Sequence, residues 1–177
     1  VPRFWASGFA IGSKGYIGLG YNGIEQKDFW EYDPSANTWT QRAYFPGTQR
    51  LDAVGFSIGS KGYVGLGYNG GNLNDFWEYN PSADTWTQKA NFGGTGRRGA
   101  TGFSIGMKGY VGTGNDGNNK NDFWEYDPSA NTWTQKANFG GVPRFSAVSF
   151  SIGSKGYIGT GTDFGPKNDF WEYDPSS

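Results

Sequence analysis

Short runs of alternating hydrophobic and small residues recur along the chain and predict β-strands. Between residues 53 and 58, the apolar side chains Val54, Phe56 and Ile58 alternate with small residues. A period of two is typical of a strand that packs one face on its neighbours. The glycines of the sequence GSKG, at 59–62, then predict a hairpin turn with positive φ angles. No segment has a helical period of useful length.

Three further strands follow within the same stretch of sequence. Together with Ala53–Ile58, we predict strands at Tyr63–Gly67, Phe76–Tyr79 and Thr85–Lys89. We call these four positions A, B, C and D in chain order. A turn at 80–84, NPSAD, separates C from D. Four short antiparallel strands in succession are typical of one blade of a β-propeller.

The whole pattern occurs four times. The segments GFAIGSKGYIG, from Gly8, and DFWEYDP, from Asp28, each return three times with small changes, at steps of 47 residues. Self-similarity at a fixed period is the signature of a repeat architecture. We therefore predict an all-β propeller segment with blades at 1–47, 48–94, 95–141 and 142–177, the last without its outer strand D.

A tyrosine and a tryptophan with six residues between them recur in register. The pairs are Tyr32 and Trp39, Tyr79 and Trp86, and Tyr126 and Trp133. Together with the hydrophobic strand A, this spacing resembles the kelch repeat over essentially the whole chain. The diglycine of that family is replaced by Gly-x-Gly at 18–20 and its three equivalents. The resemblance implies a propeller of kelch-like blades; the alternative is another all-β repeat, such as a sandwich or a solenoid.

Ring closure is the open question for four blades. A propeller has about four to eight blades, and an unclosed end leaves an apolar face in water. Four blades predict either half of an eight-bladed ring, completed by a homodimer, or a four-bladed monomer. We expect the homodimer. Because the copies are very alike and the sequence starts at Val1 inside a repeat, we also expect an engineered or reconstructed segment.

Composition and charge exclude several classes of function. The chain has no His and no Cys, which excludes disulfides, a conventional catalytic triad and an imidazole zinc site. The net charge of −1 carries no basic block, and no apolar run reaches the length of a membrane span. We predict no enzyme activity, no cofactor, no nucleic-acid partner and no membrane partner. The loop at 115–119 offers oxygen ligands but not the spacing of a calcium loop, so we predict no metal.

Variation among the copies is confined to one face. The A–B and C–D turns are nearly constant, whereas the B–C loops and the D–A connections differ from blade to blade. In an up-and-down blade these two variable sets emerge on the same face, and recognition usually lies in loops placed by a rigid scaffold. The alternative is that these loops simply tolerate drift.

Candidate binding residues lie on this variable face and at the rim of the central channel. Arginines precede strand A at the same register in every blade, and guanidinium groups there suit an acidic peptide or a sugar acid. Alternatively, each arginine ties its own blade to a backbone carbonyl or a neighbouring Asp. The complete candidate set is Arg3, Arg50, Arg97, Arg98, Arg144, Trp5, Tyr21, Tyr68, Asp116 and Asp163.

Two functional hypotheses follow. The first is a non-catalytic propeller scaffold that assembles with itself. The second is a glycan- or protein-binding kelch module of a secreted or surface bacterial protein, in which Tyr21 and Tyr68 stack on a sugar. Alternatively, these two tyrosines are packing groups of the loops. An enzyme would require a unique carboxylate, but Asp28 and Glu31 recur in all four blades.

Overall fold

Fifteen short strands form the regular structure within residues 1–176, which the computed structural model describes. Blade 1 contains β1 (Ser7–Ile11), β2 (Lys14–Gly18), β3 (Phe29–Asp33) and β4 (Thr38–Arg42). Blade 2 contains β5 (Val54–Ile58), β6 (Lys61–Gly65), β7 (Phe76–Asn80) and β8 (Thr85–Lys89). Blade 3 contains β9 (Thr101–Ile105), β10 (Lys108–Gly112), β11 (Phe123–Asp127) and β12 (Thr132–Lys136). The described part of blade 4 contains β13 (Val148–Ile152), β14 (Lys155–Gly159) and β15 (Phe170–Tyr173).

Each blade is one antiparallel sheet whose strands lie in chain order. The innermost strands of consecutive blades contact each other: β1 packs on β5, β5 on β9, and β9 on β13. Within residues 1–176, β1 and β13 make no contact. The all-β, four-blade propeller predicted from the repeats is confirmed, and it is open between its first and last blades. No part of these residues forms a helix long and apolar enough to cross a membrane.

The strand bounds in blade 2 differ from prediction by one residue at positions A and C, and by two residues at position B. β6 covers Lys61–Gly65, two residues earlier at each end than predicted. Ile58 pairs directly with Lys61, so the turn has only two central residues, and Gly59 alone adopts a positive φ, of 56°. At the other end Leu66 and Gly67 adopt φ angles of 60° and 97°, which end the strand.

Adjacent blades interlock through a phenylalanine and a glycine. Strand A of each blade directs a phenylalanine onto a glycine in strand B of the next, where any Cβ would overlap the ring. The three pairs are Phe9 and Gly62, Phe56 and Gly109, and Phe103 and Gly156. These strand glycines are therefore required for close approach of the sheets, not for turns.

The tryptophans of strand D close the outer half of the interfaces between blades 1 and 2 and between blades 2 and 3. The Trp86 ring lies between Tyr79 of its own blade and Phe29 of blade 1, with both centroids 4.9 Å away. It also meets Phe45 edge to face at 5.2 Å. Trp133 repeats this arrangement between blades 2 and 3. Aromatic side chains of neighbouring blades therefore pack directly on one another.

Candidate functional site

The register-matched arginines lie inside the blades. Arg50 donates from Nη1 and Nη2 to the two carboxylate oxygens of Asp75, at 2.6 and 2.7 Å. Nη1 also donates to the Leu66 carbonyl at 2.9 Å, and the guanidinium lies 4.7 Å from the centroid of the Phe45 ring. The same clamp joins Arg3 to Asp28, Arg97 to Asp122 and Arg144 to Asp169. Arg50, Arg97 and Arg144 are at most 1% exposed.

Electrostatics agree with this clamp geometry. Partial burial of Asp75 opposes its ionisation, but the hydrogen bonds from Arg50 and Trp77 outweigh burial and lower the pKa of Asp75. A bidentate arginine–carboxylate pair satisfies both groups. The arrangement matches the structural alternative raised for these arginines, and a ligand-binding role for them stays a prediction.

A relay of backbone hydrogen bonds links the four blades beside the channel. The Asp52 N–H donates to the Trp5 carbonyl at 3.0 Å, Gly99 donates to Asp52 at 3.2 Å, and Ser146 donates to Gly99 at 2.8 Å. All four residues adopt φ angles between 55° and 60°. Each lies two residues before the innermost strand of its blade, and these strands line the central groove of about 330 Å³. Burial raises the pKa of Asp52, and the nearby Arg98 charge partly opposes this rise.

The remaining loop candidates fall into separate small clusters. The Arg98 guanidinium lies over the Tyr68 ring, 5.0 Å from its centroid. Asp116 and Asp163 instead pair with lysines four residues further on, at 2.8 and 2.6 Å. Although burial opposes ionisation of Asp116, hydrogen bonds from Lys120 and Thr95 lower its pKa to about 2.

An exposed aromatic cluster marks the variable face of blade 1. Phe4 and Trp5, 52% and 54% exposed, meet edge to face with centroids 4.6 Å apart. Phe4 also lies 5.4 Å from the Tyr21 ring, and backbone bridging joins these two residues. The structure therefore groups Trp5 and Tyr21, while Tyr68 of blade 2 lies with Arg98 of blade 3.

The two ends of the blade series carry large uncovered apolar surfaces. We call Val148, Phe150, Ile152 and Phe170 the blade 4 end face; these side chains are 46–64% exposed. In blade 2 the residues equivalent to the first three, Val54, Phe56 and Ile58, are 3–5% exposed because blade 3 covers them.

The opposite surface, which we call the blade 1 end face, contains Gly15, Ile17, Tyr32 and Trp39. A Cβ at Gly15 would meet only the Tyr32 Cβ, at 3.9 Å, so no ring fills the place taken by a phenylalanine at Gly62. Ile17 and Trp39 are 39% and 55% exposed. Trp39, Ile17 and Arg3 also line an open cavity of about 480 Å³.

Backbone groups at the two ends are complementary as well. Between blades, Gly20, Gly67 and Gly114 each donate an N–H to the arginine carbonyl of the next blade, at 2.7–2.9 Å. Within residues 1–176, the equivalent Gly161 N–H and Arg3 carbonyl make no such bond. The Trp5 N–H and Ser146 carbonyl likewise end the relay unpaired in that part of the chain.

Sequence reasoning predicted an apolar open end but did not identify its residues. It placed the candidate sites in loops and missed Phe150 and Gly15. The signal was present, because the phenylalanine recurs in every copy at the centre of strand A and the glycine recurs as the second residue of strand B. Recognising it requires knowing that strand A of one blade faces strand B of the next.

The fold is similar to those of many solved structures. The comparison finds 190 matching chains. One, described as the structure of YjhT, superposes with a TM-score of 0.86 and 21% sequence identity, over 98% of this chain and 63% of that one. The present chain thus spans less than two thirds of that longer chain, and the likeness establishes the propeller fold. No protein-family profile and no curated protein sequence matches the chain.

Proposed function

We propose that the chain is a kelch-type propeller segment that serves as a non-catalytic, self-assembling scaffold. The blade 4 end face of each copy contacts the blade 1 end face of the other. These two junctions close an eight-bladed homodimeric ring. One observation carries the proposal: the two end faces are the separated halves of an interface that occurs three times inside the chain. The decapeptide TWTQKANFGG occurs twice unchanged, which also supports an engineered or reconstructed origin.

Side-chain packing supports the junction. Phe150 is placed to enter the space at Gly15 of the partner subunit, as Phe103 does at Gly156 within one chain. Phe170 would meet Tyr32 and Trp39 of the partner subunit. Inside the chain the equivalent Phe29 meets Tyr79 and Trp86 with centroids 4.9 Å away in both cases. Burying these exposed rings provides the driving force for closure.

Backbone hydrogen bonding would then fix the register of the junction. The Gly161 N–H would donate to the Arg3 carbonyl of the partner subunit, and the Ser146 carbonyl would accept from the Trp5 N–H of the partner subunit. Both bonds extend series that already run through the chain. Unpaired backbone groups at a buried junction are costly, so these pairings disfavour slipped arrangements.

The absence of catalysis is part of the proposal. The carboxylates Asp75 and Asp122, which recur in every blade, are engaged in arginine clamps. Within residues 1–176 no group of three or more potential metal-ligating side chains is assembled. Two features of the sequence also support a non-catalytic role. The same carboxylates recur in every blade, and the chain lacks His and Cys.

Absolute mass in solution, measured by light scattering across a dilution series, tests the assembly. We expect twice 19.3 kDa for the chain, and 19.3 kDa for the Gly15→Val variant. The variant retains its fold because Gly15 has room for a side chain in the isolated chain, whereas the junction does not. Gly71→Val is the matched control, because Gly71 lies in open space away from both end faces.

Two results would overturn the proposal: a monomer at every concentration, or a Gly15→Val variant that still has twice the monomer mass. A particle larger than two chains would contradict the eight-bladed closure specifically.

A second candidate function is glycan binding at the variable face. The observation that favours it is the exposed cluster of Phe4, Trp5 and Tyr21, because flat aromatic surfaces suit stacking against sugar rings. On a glycan array, binding should be lost in Trp5→Ala and retained in Met107→Ala, whose side chain is exposed in an A–B turn. Absence of binding to every glycan on the array, or binding that is retained in Trp5→Ala, would contradict the glycan-binding function.

A further inference from the structure

The outer edge of blade 4 differs from those of the other three blades. Strand β15 pairs with β14 on one side, and no strand pairs with its other side within residues 1–176. In blade 3 the equivalent strand β11 pairs with β12 along its whole length, with Tyr126 opposite Trp133. An unpaired edge presents backbone donors and acceptors to any extended chain.

A preformed socket for an indole lies beside this edge. In blades 2 and 3 the strand D tryptophan packs against a tyrosine and a phenylalanine whose own centroids are 4.9 and 5.0 Å apart. In blade 4 the equivalent rings, Tyr173 and Phe123, are 4.8 Å apart. Instead of a tryptophan, a cavity of about 350 Å³ lies against them, and Phe139 and Ala137 are among the other residues that line it.

The backbone N–H and carbonyl of Ala137, beside the socket, correspond to groups that form hydrogen bonds in the other blades. Trp86 and Trp133 donate their indole N–H to the carbonyls of Ala43 and Ala90, at 3.1 and 3.2 Å. The N–H groups of the same alanines donate to Asp84 and Asn131, at 3.0 and 2.9 Å. Ala137 occupies the equivalent position beside the socket, and neither of its backbone groups has such a partner within residues 1–176.

The hydroxyl of Tyr173 also calls for an Asn or Asp acceptor. The Tyr79 and Tyr126 hydroxyls donate to Asp84 and Asn131, at 2.7 and 2.9 Å. Tyr173 lacks an equivalent acceptor in the described part of the chain. An Asn or Asp placed two residues before the incoming tryptophan would satisfy both Tyr173 and Ala137.

A basic residue completes the recognition pattern. Three residues after the tryptophan, Lys89 and Lys136 lie 3.5 and 3.3 Å from the carboxylates of Glu78 and Glu125. Arg42 reaches Glu31 in the same way, at 2.8 Å. The carboxylate at this position in blade 4 is Glu172, which is partly exposed at the open edge.

We propose that this edge binds an extended peptide as a fourth strand. The peptide carries the pattern Asn/Asp-x-Trp-x-x-Lys/Arg, runs antiparallel to β15, and places its tryptophan opposite Tyr173 and into the socket. Main-chain pairing with the edge provides affinity, and the indole socket provides specificity. The site lies within a single chain and does not depend on ring closure.

Calorimetric titration of the monomeric Gly15→Val variant with the synthetic peptide NTWTQKANFGG tests the site. We expect saturable binding of one peptide per chain. Replacing the peptide tryptophan with alanine should weaken binding at least ~10-fold, because a buried tryptophan is a typical hot spot. Replacing the peptide phenylalanine with alanine is the matched control and should leave binding largely unchanged.

Substitutions in the protein test the same binding site from the other side. Ala137→Leu fills the mouth of the cavity and should abolish binding, whereas Ala130→Leu, at an exposed turn, should not. NMR contacts between the peptide indole and the Phe123 and Tyr173 rings are expected in the complex. No saturation at millimolar peptide, equal affinity for the tryptophan-free peptide, or full binding to Ala137→Leu would each overturn the proposal.

Discussion

Blades 2 and 4 present nearly the same sequence in two different environments. Strand β5 reads VGFSI and β13 reads VSFSI, and both pair with a following KGY strand in the same register. Yet Phe56 is buried between two sheets, whereas Phe150 is largely uncovered on one side. Because the local fold is the same, the difference comes entirely from the neighbouring blade. Burial in a repeat protein is thus a property of the interface between repeats.

The largest expected effect is on stability at the phenylalanine position. Phe56→Ala should lower the free energy of unfolding by about 3–5 kcal/mol, since it opens a cavity between packed sheets. Phe150→Ala should cost about 1 kcal/mol or less, because its side chain is partly solvated. Urea unfolding of both variants in the Gly15→Val background isolates the single chain from assembly. Equal losses would show that the end face is covered in solution.

A smaller contrast is expected for the arginine clamps. Arg97 is buried and stacked on Phe92, 5.0 Å from its centroid, whereas the side chain of Arg3 is 12% exposed. Arg97→Leu should lower the free energy of unfolding by about 3 kcal/mol, because it leaves the partly buried Asp122 carboxylate unpaired. Arg3→Leu should cost less, about 2 kcal/mol, because the Arg3 side chain is more exposed than that of Arg97 and its removal loses less buried packing. The same denaturation assay checks this, and a costlier Arg3 variant would reverse the comparison.

The smallest effect is a difference in acid sensitivity between the two end blades. Burial opposes ionisation of Glu31, but hydrogen bonds from Arg42, Lys14 and Tyr16 lower its pKa from 4.5 to about 2. The unfolded chain therefore binds this proton more readily, and the stabilisation is present above pH 4.5 and is lost as the pH falls towards 2. Stability of Glu31→Gln should depend less on pH in this window than that of the unsubstituted chain.

Glu172 is the matched control for the acid prediction. Its pKa is also lowered, chiefly by hydrogen bonds from Lys155 and Tyr157, but its carboxylate side chain is 45% exposed, against 5% for Glu31. Solvent screens such a pair. Glu172→Gln should therefore change the acid profile less than Glu31→Gln, and the opposite order would show that the Arg42 contact is not decisive.

The blades and most strand positions could be predicted because they depend on local periodicity. The error at β6 arose where glycine signalled a turn at Gly62, although that glycine serves packing against Phe9. The arginine register was visible in the sequence, but periodicity alone could not distinguish a clamp on Asp75 from a ligand site. The end faces and the indole socket depend on which sheets meet, and that information lies between repeats.

The two end faces are unlike each other, and this gives the chain a direction. In the proposed assembly a junction would join a phenylalanine end to a glycine end, so copies would add only head to tail. Such contacts make a ring when the rotation per chain divides a full turn evenly, and otherwise an open helical fibre. A Gly15→Val chain keeps its Phe150 end intact and would therefore act as a terminator: mixed with the unsubstituted chain, it would stop growth at one end and leave the other free.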